Sequence, residues 1–339
     1  MGKPAQPKFK GRARLMPVLA SALLLGACAT NEGPQSTVNP ANLGVSAGES
    51  GNPIADAAYW GGQYEQNPGD AETAAKYGEA LRQLKSFEQA MTVLSVAARQ
   101  HPDHAGIMAE YGKVLVAAGQ SEKAIPVLVK AATLNPSDWR VLTAQGVAYD
   151  QQGQHAEAQM KYRSALKLAP NHPSILTNLG LVLVAAGQSE KAIPVLVKAA
   201  TLNPSDWRVL TAQGVAYDQQ GQHAEAQMKY RSALKLAPNH PSILTNLGLS
   251  EALAGELTEA EQTLRGAVSN PSAGAKARQN LALVLGLKGE FDEAARLAKA
   301  DLPPAVVNNN IDYIRSMLVQ PALWKQMEQL DAPIDTQIQ

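Results

Sequence analysis

The chain has 339 residues, enough for two ordinary domains or one long array of repeats. Its 30 basic and 30 acidic side chains cancel, but five basic residues and no acid lie in the first 27 positions. The remainder is therefore mildly acidic and lacks the basic surface that nucleic-acid binding requires. A single cysteine excludes an internal disulfide, and an aromatic content of only 5% favours close-packed helices over sheets.

The first 27 residues are predicted to be a secretory leader. A basic start precedes an apolar run, Leu15 to Ala27, which is too short to span a membrane comfortably. The stretch Leu25 to Cys28, LGAC, resembles the lipobox of bacterial lipoproteins. That resemblance implies cleavage between Ala27 and Cys28, lipidation of Cys28, and a membrane lipid anchor. An ordinary leader that is cut nearby is the alternative.

Ala29 follows the cysteine, and by the same resemblance the lack of Asp there favours the outer membrane. The expected location is the periplasmic face of the outer membrane of a Gram-negative bacterium, and the inner membrane stays open. Residues 28–54, rich in Gly, Pro, Ser, Asn and Thr, are typical of a flexible tether. Residues 55–70 are predicted to hold a short N-terminal helix, with Tyr59 and Trp60 as its apolar anchors.

From residue 71 to residue 303 the sequence repeats with a period of 34. Glycine recurs at positions 119, 153, 187, 221, 255 and 289, and alanine recurs at 90, 124, 158, 192, 226, 260 and 294. A fixed period of this size indicates stacked units. Each unit of about 34 residues is predicted to contain two helices, with glycine in the turn and proline after the second helix. About seven units fit in this region.

The spacing of large and small residues resembles the tetratricopeptide repeat. The unit 207–240 supplies the expected set: Leu210, Gly214, Tyr217, Ala226, Tyr230, Ala233 and Pro238. The resemblance implies an all-α fold, a right-handed solenoid of helix-turn-helix repeats. In the unit 241–274, Glu251 replaces the tyrosine, and the last unit loses its terminal pattern. Atypical end units are expected because end repeats face water.

Residues 114–181 and 182–249 are identical at all 68 positions. Because 68 is twice the period, the copy adds two whole repeats without shifting the register of anything downstream. The identity has no structural cause, since surface positions of a solenoid tolerate substitution. A recent duplication, an engineered one and a sequence-assembly error all remain open.

No catalytic signature is present in the sequence. The six histidines fall at predicted turns, the glycines are spaced rather than clustered, and no serine or cysteine nucleophile motif occurs. We therefore expect no enzymatic activity, no cofactor, no metal and no small-molecule substrate.

In the tetratricopeptide family, the first helices of the repeats line a groove that takes peptides or helices. Asn178 and Asn246 match a position that often binds the ligand backbone in that family, whereas the clamp for a carboxyl terminus is incomplete. A solvated face without a ligand is the alternative. Carried over by repeat position, the implied groove residues are Arg140, Thr143, Asp150, Gln151, Thr177, Asn178, Leu181, Val184, Arg208, Thr211, Asp218, Gln219, Thr245 and Asn246.

Residues 304–339 are predicted to form a capping helix, Asn309–Val319, and a tail. The leader, the tether, the repeats and the segment NNNIDYIRSML together resemble the tetratricopeptide lipoproteins of Tad (Flp) type IV pilus assembly. The resemblance implies a non-catalytic scaffold that helps an outer-membrane secretin to localise or assemble. The implied partners are that secretin and other pilus-assembly components, without nucleic acid. An adaptor for another cell-envelope complex is the alternative.

Overall fold

The computed structural model describes residues 52–330, which fold into sixteen α-helices and contain no strand. The predicted leader, Cys28 and the tether up to residue 51 lie outside the described residues, as does the tail from residue 331. The helices fall into two compact units that divide between Gln219 and Gln220. We refer to them as the N-terminal unit, residues 52–219, and the C-terminal unit, residues 220–330.

The N-terminal unit contains ten helices. They are α1 Pro53–Gln66, α2 Ala71–Gln83, α3 Phe87–Gln100, α4 Ala105–Ala117, α5 Ser121–Leu134, α6 Trp139–Gln151, α7 His155–Leu168, α8 Pro173–Ala185, α9 Ser189–Leu202 and α10 Trp207–Gln219. The C-terminal unit contains six: α11 His223–Leu236, α12 Pro241–Leu253, α13 Leu257–Val268, α14 Ala275–Leu287, α15 Phe291–Ala298 and α16 Pro304–Leu330. The predicted alternation of first and second helices from residue 71 onward is confirmed.

Helix α1 begins at Pro53, two residues before the predicted segment 55–70, because it has a well-defined start. The side chain of Asn52 accepts a hydrogen bond from the backbone N–H of Ile54 at 3.0 Å, and proline occupies the first helical position. Tyr59, expected to anchor this helix, is 57% exposed. That prediction is wrong, since Tyr64 provides the contact instead, with its ring 5.7 Å from the ring of Tyr77.

In five repeats, those that begin with α2, α4, α6, α8 and α12, the first helix meets its second helix through a glycine. A Cβ atom added to Gly146 would lie 2.5 Å from the ring of Tyr162, and one added to Gly180 would lie 2.3 Å from the side chain of Leu196. Such distances are too short for carbon atoms, so these crossings need glycine. The turn between the helices needs glycine for a different reason, since Gly153 has a φ of +71°. The predicted role of glycine in the turn is confirmed at Gly153.

The parts of the two copies that can be compared within the N-terminal unit, residues 114–151 and 182–219, form helices with equivalent bounds. Helices α5 and α9 have identical sequences and equivalent bounds. The alanine and leucine that each contributes to the core, Ala124 and Leu128 in α5 and Ala192 and Leu196 in α9, are all fully buried. The local sequence therefore determines the packing of each repeat, as expected when a repeat contacts mainly its neighbours.

In the C-terminal unit, α16 covers the last repeat. Val307, Ile311 and Ile314 are buried, and Ile314 packs over Gly286 of α14. The helix begins at Pro304 rather than at the predicted Asn309, because proline is favoured at a helix start and needs no cap from the later asparagines. Within residues 52–330, no helix combines the length and the hydrophobicity that crossing a membrane requires.

Candidate functional site

The predicted site residues lie on the first helices of successive repeats. In the N-terminal unit these are α2, α4, α6, α8 and α10, and we call the side that they share the first-helix face. The C-terminal unit has its own first helices, α12 and α14. The structure gives the predicted residues several different roles.

The hydroxyl groups of the four threonines donate hydrogen bonds to backbone carbonyls of their own helices. Thr143 donates to the carbonyl oxygen of Trp139 at 2.8 Å, and Thr177 donates to that of Pro173 at 3.0 Å. Thr211 and, in the C-terminal unit, Thr245 make the same bond to the residue four positions earlier. Thr143 and Thr177 are also almost completely buried. These hydroxyl groups are already satisfied, so the positions offer a partner little polar contact.

Gln151 and Gln219 join adjacent repeats. The hydroxyl of Ser121, in α5, donates to the side-chain oxygen of Gln151, and Ser189 makes the same bond to Gln219. The amide nitrogen of Gln219 also donates to the carbonyl oxygen of Val184 at 3.1 Å. Both glutamines therefore fix the register of one repeat on the next.

The predicted charged residues have local partners. The guanidinium of Arg140 lies 4.7 Å from the centre of the Trp139 ring. Arg208 forms two hydrogen bonds to Asp206, at 2.8 and 2.7 Å. Asp150 is buried, with its carboxylate 2.9 Å from the Nδ1 atom of His155, whereas Asp218 is half-buried.

Asn178 differs from the other predicted residues because its amide nitrogen is buried and has no hydrogen-bond partner. The residue is 3% exposed and lies one and two turns before Leu181 and Val184 on α8. Buried polar atoms are nearly always hydrogen-bonded, so an orphaned donor here is a candidate contact for an incoming acceptor. In the C-terminal unit the equivalent Asn246 is half-buried.

Sequence reasoning missed a third asparagine of this series. Asn280, on α14, lies 34 residues after Asn246, is buried, and also has an amide nitrogen without a hydrogen-bond partner. The 34-residue period predicts this asparagine when the irregular last unit is aligned with the other units.

Sequence reasoning also missed a charged cluster at the start of the first-helix face. The Nε atom of Arg82 donates to Glu110 at 3.2 Å, and Lys113 pairs with the other oxygen of the same carboxylate. All three side chains are buried. Glu110 and Lys113 occupy the repeat positions of Asn178 and Leu181, so charge replaces amide and apolar groups here.

The electrostatics of this cluster favour the ionised carboxylate. Burial alone would raise the pKa of Glu110, but the charges of Lys113 and Arg82 and the hydrogen bonds from them lower it below its usual value. The Nη2 atom of Arg82 has no hydrogen-bond partner and lies 4.0 Å from Glu79. The N-terminal end of the first-helix face is therefore charged, and its middle, around α8, is largely apolar.

The part of the chain that the structure describes contains no cluster of metal-ligating side chains. Between residues 52 and 330, no group of three or more His, Cys, Asp or Glu side chains is arranged to hold a metal ion. His101 and His104 lie in the turn before α4, where the imidazole of His104 accepts a hydrogen bond from the backbone of Ile107 at 3.2 Å.

Comparisons with known proteins identify the repeats. The sequence profile of the tetratricopeptide repeat matches residues 112–173, 177–241 and 211–275. The predicted fold class, an all-α tetratricopeptide solenoid of helix-turn-helix repeats, is confirmed. Proteins of this class are generally binding scaffolds without catalytic activity, and no enzyme family is matched. No curated protein sequence matches the chain.

Two solved structures show the same fold. The APC/C hetero-tetramer Cut9–Hcn1 superposes with a TM-score of 0.62 at 20% identity over 81% of this chain, which spans 53% of that chain. A tetratricopeptide repeat protein from Parabacteroides merdae superposes with a TM-score of 0.59 at 14% identity, over 72% of this chain and 98% of the other. At sequence identities of 20% and 14%, these similarities establish a shared fold and nothing about function.

Proposed function

We propose that the chain is a non-catalytic scaffold that binds a protein partner on its first-helix face. The observation that carries this proposal is the orphaned amide of Asn178 beside the apolar Leu181 and Val184. A buried donor without an acceptor costs free energy, and a backbone carbonyl of a bound segment would remove that cost. The neighbouring apolar side chains would contact the side chains of the same segment.

The cellular role that we propose is assembly of a Tad (Flp) type IV pilus. The leader, the tether and the C-terminal segment resemble TadD, the tetratricopeptide lipoprotein of that system. The scaffold would lie at the periplasmic face of the outer membrane, held by lipid on Cys28, and would help an outer-membrane secretin to localise or assemble. An adaptor for another cell-envelope complex is the second candidate, because it needs the same anchor and the same binding face.

Capture from membranes separates the two roles. The tagged, lipidated protein is solubilised from its native host and its bound proteins are identified. Recovery of the secretin and other pilus components supports the pilus role. Reproducible recovery of a different envelope complex, with the secretin absent, would support the adaptor role instead.

Asn178→Ala tests the binding face. We expect affinity for the captured partner to fall about tenfold, because a hydrogen bond of roughly 1–1.5 kcal/mol is lost on binding. The stability of the free protein should not fall, since no internal hydrogen bond is broken and a buried donor without a partner is removed. Affinity is measured by surface plasmon resonance and stability by urea unfolding.

The matched control is Asn171→Ala, an exposed asparagine in the turn just before α8. The affinity of the Asn171→Ala variant for the captured partner should equal that of the unaltered protein. Equal affinities for all three proteins would rule out Asn178 as a contact residue.

Cys28→Ala tests the anchor. Acylation requires the thiol, and in lipoproteins cleavage follows acylation, so the variant should incorporate no fatty-acid probe and should keep its leader. Metabolic labelling measures the first and gel mobility the second. Unchanged labelling of the variant would show that the lipid is attached elsewhere, and no label on the unaltered protein would show a leader of the ordinary secretory type.

A further inference from the structure

The second helices of the N-terminal unit share an unusual charge pattern. In α3, α5, α7 and α9, five equivalent positions recur at i, i+3, i+4, i+7 and i+8 and so share one side of each helix. We call these twenty positions the second-helix face: 92, 95, 96, 99 and 100; 126, 129, 130, 133 and 134; 160, 163, 164, 167 and 168; and 194, 197, 198, 201 and 202. They contain no Asp or Glu and hold five cations, Arg99, Lys130, Arg163, Lys167 and Lys198.

Large apolar side chains are exposed among these cations. Met160 is 58% exposed, Val197 is 47% exposed and Leu168 is 45% exposed, and Val129 and Leu202 are similar. Cations near the carboxyl end of a helix are favourable for the helix dipole. That effect does not account for the apolar residues beside them. A face that combines exposed apolar groups with positive charge and lacks negative charge is typical of segments that lie on a membrane surface.

A cavity opens on the same face. It lies among α3, α4 and α5, has a volume of about 350 Å³, and is lined mainly by apolar groups that include Met108, Tyr111 and Val127. Arg99 and Lys130 of the second-helix face line it as well. Lys130 also forms an ion pair with the exposed Asp103, at 3.2 Å. An apolar recess beside two cations fits an acyl chain whose anionic headgroup meets the charges.

We propose that the second-helix face of the N-terminal unit docks on an anionic phospholipid surface. Charge complementarity carries the proposal, because the chain beyond its first 27 residues has an acidic excess and yet these twenty positions have no acid; the exposed Glu88, Glu122 and Glu190 lie one turn nearer the start of α3, α5 and α9. The first-helix face remains available for a protein partner. The proposal concerns a different surface from the proposed function and does not depend on it. If Cys28 is acylated and the intervening 23 residues form the predicted flexible tether, residue 52 would lie at a root-mean-square distance of about 25–30 Å from the anchor.

Vesicle binding by the unacylated chain tests the proposal. The Cys28→Ser protein without residues 1–27 is mixed with vesicles of phosphatidylglycerol and phosphatidylethanolamine, or of phosphatidylcholine alone, and sedimented. We expect binding to the anionic vesicles that weakens with added salt and exceeds binding to the neutral vesicles. The leader is left out because its five basic residues would themselves favour anionic vesicles.

Charge-reversal variants locate the surface. Arg163→Glu with Lys198→Glu changes the face, where Arg163 donates a hydrogen bond to the side chain of Gln159 and Lys198 donates one to the carbonyl oxygen of Pro170. Lys76→Glu with Lys85→Glu makes the same change in net charge on α2 and the turn after it. We expect about a tenfold or larger loss of partitioning for the first pair and much less for the second. Circular dichroism verifies that both variants are folded.

Three results would overturn the proposal. The first is equal binding of the two charge-reversal variants. The second is no preference for anionic vesicles. The third is salt-sensitive binding to soluble polyglutamate, lost on reversal at Arg163 and Lys198, without binding to vesicles, which would assign the face to an acidic protein instead.

Discussion

Replacing Glu110 by glutamine should lower the free energy of unfolding by about 3 kcal/mol or more at neutral pH. The substitution keeps the volume of the side chain but leaves Lys113 charged and buried without an anion, and leaves Arg82 with only Glu79, 4.0 Å from its Nη2 atom. Removing one partner from a buried ion pair typically costs roughly 3–5 kcal/mol, because the remaining charge has lost its water. The unfolding midpoint and slope in urea, followed by circular dichroism, measure the change.

The same substitution should alter the dependence of stability on pH. The pKa of Glu110 is lowered in the folded protein, because Lys113 and Arg82 outweigh the opposing effect of burial. A carboxyl group whose pKa falls on folding stabilises the protein fully above its unfolded pKa of about 4.5, and that stability is lost as the pH falls through the folded pKa. The unaltered protein should therefore lose this contribution on acidification, and Glu110→Gln should lack it.

The control is Glu65→Gln, at an exposed position in the last turn of α1. It removes the same charge and should change stability by less than about 0.5 kcal/mol at pH 7. If Glu110→Gln unfolds at the same urea concentration as Glu65→Gln, the cluster contributes nothing to stability and its hydrogen bonds are replaced by water.

The fold was predictable from sequence because its determinants are periodic. Gly146 is needed where α6 crosses α7, and Gly153 is needed for a positive φ in the turn, so both recur every 34 residues and mark the repeat. The charged cluster has no such signature. Arg82 and Glu110 are 28 residues apart and occupy different repeat positions, so their contact depends on how α2 packs on α4.

The site was only partly predictable for a related reason. Repeat position shows which side of a helix a residue occupies, but not where its polar atoms find partners. Thr177 and Asn178 are neighbours on α8, yet the hydroxyl of Thr177 is satisfied by its own helix and the amide of Asn178 is orphaned. That difference follows from side-chain geometry, since a threonine hydroxyl can reach the carbonyl four residues earlier in the helix.

Glu251 shows how a departure from the repeat can be interpreted. The sequence places it where other units have tyrosine or leucine, and the structure buries it, with Arg231 at 3.3 Å. Burial raises the pKa of Glu251 despite that partner and a hydrogen bond from Thr263. The irregular position therefore holds an acid whose burial in the C-terminal unit disfavours its charged form. In the N-terminal unit, by contrast, Lys113 and Arg82 favour the charged form of Glu110.

Deleting residues 182–249 should leave a helical protein that unfolds cooperatively. The deletion joins Leu181 to Ser250, and residues 173–181 followed by 250–253 reproduce the sequence of α12. The helix before the junction, α7, has the same sequence as α11, so the new helix meets the partner sequence that α12 has in the intact chain. Helix content per residue should therefore stay the same, and Tm should fall by only a few degrees, because fewer interfaces remain.

Deleting residues 182–232 is the contrasting control. It removes 51 residues, one and a half periods, and joins Leu181 to Ala233 in the middle of a second helix. A first helix would then run into half of a second helix without the turn glycine, and the apolar sides of both would lose their partners. We expect this protein to aggregate or to lose its cooperative transition. If instead the two deletions melt alike by circular dichroism, or if the 68-residue deletion gives the aggregated product, the 34-residue unit is not the element that folds.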